Sequence, residues 1–343
     1  MRKKFFVFSV FIQIILLATV SYSYGKDNSS QHFKAVRVIK ATEMKISKDK
    51  SEYSYFSLPA DILFAGNEIF VLDSKESEIK VFSARGNFRY SIGRRGRGPG
   101  EFSYPSDIDF FEGRIYVADK MNRRIQVVDR EGNYLFGFKV DFFPQNILVL
   151  NADRILVSHL PLTSFKRQKI LHCFNRGGEL LWESLDSFCS GDSVYDVFAN
   201  QVVVERNRKE SFYVVKRFNE RNIYFFRNNG ELEKRIEVGK EYSLKKIAVP
   251  TKPDRRKEIR GFCWWGVMDE GKFFFLEMEF SREEKDLIPG KRLIIVNLEG
   301  KIKGVVELPE RLHLFCVKGS SIYGIDTQSS LKIYSLNSEK KGD

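Results

Sequence analysis

The chain has 343 residues, 43% hydrophobic and 30% charged, so it can bury a sizeable core, and nine Pro with no low-complexity tract exclude a long disordered protein. A net charge of +12 favours anionic partners or surfaces. The 31 Phe and 14 Tyr favour strands, because flat rings pack well on a pleated surface.

Residues 1–25 read MRKKFFVFSVFIQIILLATVSYSYG. Arg2, Lys3 and Lys4 form a basic start, and Phe5 to Val20 is an apolar run. The run is short for a membrane span, which takes about 20 residues. Ser21, Ser23 and Gly25 follow it, as small residues do before a signal-peptidase site. Segment 1–25 is therefore read as a signal peptide and 26–343 as the mature domain. The product is exported, periplasmic or secreted, with no stable membrane span after cleavage; an uncleaved anchor is the alternative. No Cys lies in this region, which gives no support to a lipid-anchored form. Cleavage takes Lys+Arg from 57 to 54 and the net charge from +12 to +9.

The mature chain then repeats one plan. FKAVRVI, Phe33 to Ile39, alternates apolar and polar residues. A first unit runs from Pro59 to Gly93. The clearest unit, Pro105 to Phe138, divides into strands at Ile108–Phe111, Arg114–Ala118, Ile125–Asp129 and Asn133–Phe138. Glu112-Gly113 and Glu131-Gly132 supply hairpin turns. Further units follow at Pro144–Ser184, Asn200–Val238 and Gly261–Leu308, and the last, Leu312–Asn337, has only three strands. An all-β, six-bladed β-propeller accounts for the count, with the last blade closed by the N-terminal strand. The blades are approximately 59–93, 105–140, 144–184, 200–238, 261–308, and 311–337 plus 33–40. In a closed ring each blade is covered on both faces, which explains continuously apolar strands such as KFFFLEM. A β-sandwich explains the strand spacing but not six copies of one unit.

The second unit and the loop before it read GRRGRGPGEFSYP and then IYVADKMNRRIQVVD. Gly93, Gly96, Gly98, Gly100, Phe102 and Pro105, followed by Asp119, Asn122, Arg124 and Ile125, resemble an NHL repeat over about 50 residues. Asp73 and Asp326 keep part of the pattern, and the third to fifth units lose it. The chain is similar to exported bacterial six-bladed NHL-type propellers, more than to intracellular NHL domains that bind RNA. That resemblance implies a binding module.

In a propeller the GRRGRGPGEF stretch joins two blades. Its glycines serve the backbone, Phe102 plugs the gap between blades, and the arginines are left to solvent. Interblade loops and second-to-third-strand loops emerge on one face, which also receives every long insertion, and long loops on a rigid scaffold are where binding concentrates. The predicted binding residues are Arg94, Arg95, Arg97, Lys120, Arg123 and Arg124. The expected partner is a protein or anionic glycan of the cell envelope, with no nucleic acid, and the protein is expected to be a monomer. The acidic residues Glu183, Asp186, Asp192 and Asp196 between basic clusters make the face a charge mosaic instead of a nucleic-acid track.

No catalytic residue, metal ligand or cofactor is assigned. The four His are read as structural, only His313 falling on an inner strand. Trp264-Trp265 are read as packing. Cys173, Cys189, Cys263 and Cys316 form no CxxC pair and read as small hydrophobes. A Ca²⁺ site on Asp61, Asp107 and Asp109 stays open. With it stays the alternative function, a metal-dependent lyase or hydrolase in the central channel.

Overall fold

Glycine-bearing turns between β-rich runs fold each unit into a four-stranded antiparallel sheet. The computed structural model describes residues 37–44, 55–161, 166–208, 211–239, 242, 244–252, 255–281 and 286–336. The expected signal segment, 1–25, lies outside the described residues.

Two short strands come first, β1 (Arg37–Lys40) and β2 (Thr42–Glu43). Blade 1 is β3 (Pro59–Ala65), β4 (Glu68–Asp73), β5 (Glu78–Ser83) and β6 (Phe88–Ile92). Blade 2 is β7 (Ile108–Phe111), β8 (Arg114–Asp119), β9 (Arg124–Val128) and β10 (Tyr134–Lys139). Blade 3 is β11 (Pro144–Asn151), β12 (Arg154–His159), β13 (Lys169–Phe174) and β14 (Leu180–Asp186). Helix α1 (Ser193–Ala199) leads into blade 4, which is β15 (Val202–Arg208), β16 (Ser211–Lys216), β17 (Asn222–Arg227) and β18 (Leu232–Glu237). A separate hairpin, β19 (Lys245–Lys252) and β20 (Arg255–Gly261), precedes blade 5. Blade 5 is β21 (Trp265–Asp269), β22 (Lys272–Ser281), β23 (Asp286–Asn297) and β24 (Ile302–Glu307). Blade 6 has β25 (Leu312–Lys318), β26 (Ser321–Asp326) and β27 (Leu331–Ser335).

The N-terminal segment closes the ring, as expected, but with a different division of labour. Thr42 and Glu43 of β2 pair antiparallel with Ser335 and Tyr334 of β27, completing blade 6. Residues Arg37–Lys40, expected on β27, instead run parallel along β24 and add a fifth strand to blade 5. Buried Ala41 is the crossing point: its N–H bonds Glu307 O, while Met44 N bonds Ile333 O. Phe33 to Val36 lie outside the described residues.

Burial explains why so many strands are apolar without alternation. All six residues of β4 are buried. Six apolar clusters each draw on two neighbouring blades. Phe70 and Ile79 meet Ile108 and Val117 between blades 1 and 2, and Ile62 and Val71 meet Tyr323 and Ile325 between blades 1 and 6. Phe102 is fully buried in the first of these seams. Gly93 faces it with φ +83°, and a Cβ at Gly93 would fall 2.2 Å from the Phe102 ring. Both facts require glycine. Gly93→Ala should cost about 2 to 3 kcal/mol, read as a lower urea midpoint at unchanged slope.

The long insertions hold more order than their sequences announce. Asp192 caps α1, its side chain accepting from Tyr195 N. The insertion after blade 4 contains the β19–β20 hairpin, and the one in blade 5 is largely an extension of β22 and β23. No helix among the described residues is long and apolar enough to cross a membrane.

Candidate functional site

The Asp-x-x-Asn-x-Arg run of blade 2 is a buried lock. Asp119 is fully buried and accepts from Ser103 N at 2.7 Å, Asn122 Nδ2 at 2.8 Å and Arg124 Nε at 2.7 Å. Gln126 Nε2 adds a fourth bond at 3.2 Å. Arg124 then reaches back into the glycine loop. Its Nη1 donates to Arg97 O at 2.8 Å, and its Nη2 to Gly98 O at 2.9 Å and Glu101 O at 2.8 Å. Asn122 Nδ2 holds Gly96 O at 2.9 Å. From the other side, the Glu101 carboxylate takes Gly98 N at 2.9 Å, Arg97 N at 3.1 Å and Arg94 Nε at 3.0 Å. These bonds hold the Glu101 carboxyl below its ordinary range, the Gly98 amide contributing most. Asp73 plays the corresponding part in blade 1, accepting from Ser57, Leu58 and Glu76 amides.

The lock sets the 93–102 loop beside the Lys120–Asn122 turn and decides where each predicted binding residue points. Arg94 and Arg97 are exposed, Arg94 in a pair with Glu101 at 2.9 Å. Arg95 donates to Lys75 O and lies over the Tyr104 ring at 5.3 Å. Arg123, at φ +50°, lies over Phe143 at 4.4 Å with its charge exposed. Lys120 extends toward Gln145 Oε1 at 3.4 Å, and burial pulls its pKa down to about 8. Arg124 is the correction. Its guanidinium is spent on a buried carboxylate and three carbonyls, so it builds the loop and does not present charge to a partner.

A second constellation lines the central channel. Asp61, Asp107, Asp109, Asn146, Glu205 and Trp265 border a cavity of about 70 Å³. Three of these sit in a repeated Pro-x-Asp/Asn step at the start of an inner strand: Pro59-Ala60-Asp61, Pro105-Ser106-Asp107 and Pro144-Gln145-Asn146. The carboxylates staple neighbouring blades. Asp61 accepts from Ile108 N at 3.3 Å, Asp107 from Ile147 N at 2.7 Å, and Asp109 from Val149 N at 2.6 Å and Arg206 Nη2 at 3.1 Å. Burial raises the Asp61 pKa to about 6 and lifts Asp107 well above the usual range, with Asp61 and Asp107 hydrogen-bonded to each other. Glu205 rises to about 8, through burial first and then the charges of Asp61 and Asp109. Among the described residues no group of three His, Cys, Asp or Glu side chains is arranged to hold a metal ion. One oxygen of each carboxylate, Oδ2 of Asp61, Asp107 and Asp109, accepts from an amide of the next blade. Glu205 is absent from the sequence-based candidates, because nothing in QVVVERN distinguishes it before the ring brings it to the axis.

The remaining candidates are packing. His159 and His172 are buried in blade 3 with ring nitrogens 3.0 Å apart, and Phe142 stacks on His159 and lies tilted against His172. Burial pushes His159 down to about 4, so it stays neutral at physiological pH. Trp264 donates to His313 O at 3.0 Å. All four cysteines are free thiols, and burial raises Cys173 and Cys263 to about 12.

Closure of six sheets around a channel by the chain's own N-terminal segment defines a six-bladed β-propeller. Residues 56–288 match the family described as domain of unknown function DUF4934, and the chain belongs to that family. No curated protein matches it in sequence. Among solved structures, the exported-protein candidate BF0058 of Bacteroides fragilis NCTC 9343 superposes with a TM-score of 0.57 at 12% identity, over 88% of this chain and 99% of that one. Virginiamycin B lyase from Staphylococcus aureus superposes with a TM-score of 0.50 at 9% identity, over 87% of this chain and 100% of that one. At such identities the likeness establishes the fold and nothing about activity.

Proposed function

We propose that this protein is an exported propeller of NHL type that binds a protein or an anionic glycan of the cell envelope through its long-loop face. The observation that carries this reading is the rigid 93–102 loop. Its backbone is fixed by Arg124, Asn122 and Glu101, while Arg97 is exposed and Arg95 and Arg123, laid over Tyr104 and Phe143, are exposed residues beside it. Arginines on a preorganised loop lose little freedom when they grip a carboxylate or sulfate, and their planar forks suit two-point contact. The fold shared with an exported-protein candidate and the basic, apolar start of the chain support export.

The test is capture from envelope extract by the mature protein, compared with the triple variant Arg95→Glu, Arg97→Glu and Arg123→Glu. Capture should disappear while the melting temperature moves by less than about 3 °C, because these side chains lie at the surface. Unimpaired capture rejects the surface. The competing reading, a metal-dependent lyase or hydrolase in the channel, draws on Asp61, Asp107 and Glu205 around the cavity. Stoichiometric Zn²⁺ or Ca²⁺ in purified protein would favour it.

A further inference from the structure

Several half-buried arginines in this fold meet a carboxylate supplied by the fold itself. Arg124 has Asp119, Arg206 has Asp109, Arg292 has Glu277 at 2.7 Å and Arg311 has Glu279 at 2.7 Å. Arg217 does not. It follows β16 at the seam between blades 4 and 5, and among the described residues no carboxylate pairs with it. Its Nη1 donates to Gln201 Oε1 at 2.9 Å. Its Nε is closed to solvent and finds no acceptor. Gln201 therefore occupies one amino group, Nε is shut inside the protein, and Nη2 is left to donate to one oxygen of a carboxylate. A guanidinium held in this way without an acid is costly, and burial pulls its pKa down without discharging it.

The surroundings indicate what supplies the acid. Trp264 lies 5.6 Å and Phe218 5.8 Å from the guanidinium carbon. Phe198 of α1 stands edge-on to Phe218 at 5.4 Å, and Tyr195 packs on the same apolar cluster as Trp264. Tyr195, Phe198 and Trp264 are only partly buried, so they offer ring surface beside the cation. One guanidinium among rings suits a monoanion with an apolar body; a doubly charged phosphate would lack a second cation.

We propose that Arg217, with Gln201, Phe198 and Trp264, forms a subsite for the carboxylate of an aromatic organic acid. It lies on the long-loop face between blades 4 and 5 and is independent of the arginine loop of blades 1 and 2. Helix α1, inserted between blades 3 and 4, exists in part to furnish its aromatic wall.

Titration calorimetry with benzoate, neutral benzamide and inorganic phosphate tests the subsite on the intact protein. Benzoate should bind saturably, benzamide at least about tenfold more weakly, and phosphate more weakly than benzoate. Arg217→Gln should lose at least about tenfold in benzoate affinity, Arg217→Lys should lose part of it, and Arg97→Glu should bind as wild type does. Equal binding of benzoate and benzamide by the wild type overturns the proposal even if Arg217→Gln does not fold. So does phosphate binding more tightly than benzoate, an Arg217→Gln variant within twofold of wild type, or no benzoate binding up to about 50 mM.

Discussion

Arg124→Met should lower the unfolding free energy by about 4 kcal/mol in urea titrations, whereas Arg97→Ala, one loop away, should change it by less than about 0.5 kcal/mol. The two arginines look alike in sequence and differ in what they touch. Arg124 keeps 19% of its side chain exposed and Asp119 none, at 2.7 Å. Removing Arg124 strands a buried carboxylate and releases the carbonyls of Arg97, Gly98 and Glu101. Asp119 retains bonds from Ser103 N, Asn122 and Gln126, which stops the loss short of unfolding. Because both residues belong to one network, Asp119→Asn combined with Arg124→Met should cost less than the two single changes added together. Additive costs would mean that the lock is not a unit.

Replacing Glu205 with Gln should stabilise the protein at pH 8 by about 4 kcal/mol and leave it unchanged, within about 1 kcal/mol, at pH 4.5. The folded protein holds the Glu205 proton up to about pH 8, against an ordinary value of 4.5. Between those values the unfolded chain has released a proton that the folded chain retains. Stability tied to Glu205 is therefore complete below about pH 4.5 and falls, by about 1.4 kcal/mol per pH unit, until the folded group ionises. Asp61, raised to about 6, adds loss in the same direction at lower pH. Glutamine keeps the neutral, hydrogen-bonding form at every pH and removes the Glu205 share. Paired urea midpoints at the two pH values decide it: a wild-type-to-variant gap that does not widen with pH would refute a proton-holding channel.

The ring was legible because its signals are local and repeated. Gly-bearing turns and apolar runs recur in each blade, and the three-strand remainder at Leu312–Asn337 pointed to completion by the N-terminus. Gly93 and Phe102 were legible for the same reason, since a glycine facing a lone aromatic across a loop is a short-range arrangement. What escaped depends on partners far along the chain. The carbonyls that claim Arg124 come from the preceding loop, and the lack of an acid partner for Arg217 among the described residues is a property of the assembled seam, not of VVKRFNE. Helix α1 was hidden because its seven residues are too few to display a helical period, although Asp192 ahead of Ser193 is a recognisable cap. The parallel placement of β1 on β24 was hidden too, because an alternating strand suits either edge until Ala41 fixes the crossing.

The latch of this ring is two residues long. Thr42 and Glu43, among the earliest described residues to leave the ribosome, grip Tyr334 and Ser335, among the last. Blades 1 to 4 can each form as they are synthesised, but the circle stays open until the whole chain has been made, and the final fastening spans almost its full length. Removing the chain up to Met44 would strip the fifth strand from blade 5 and the outer strand from blade 6, leaving the sheets of blades 1 to 4 intact and the circle unbuckled.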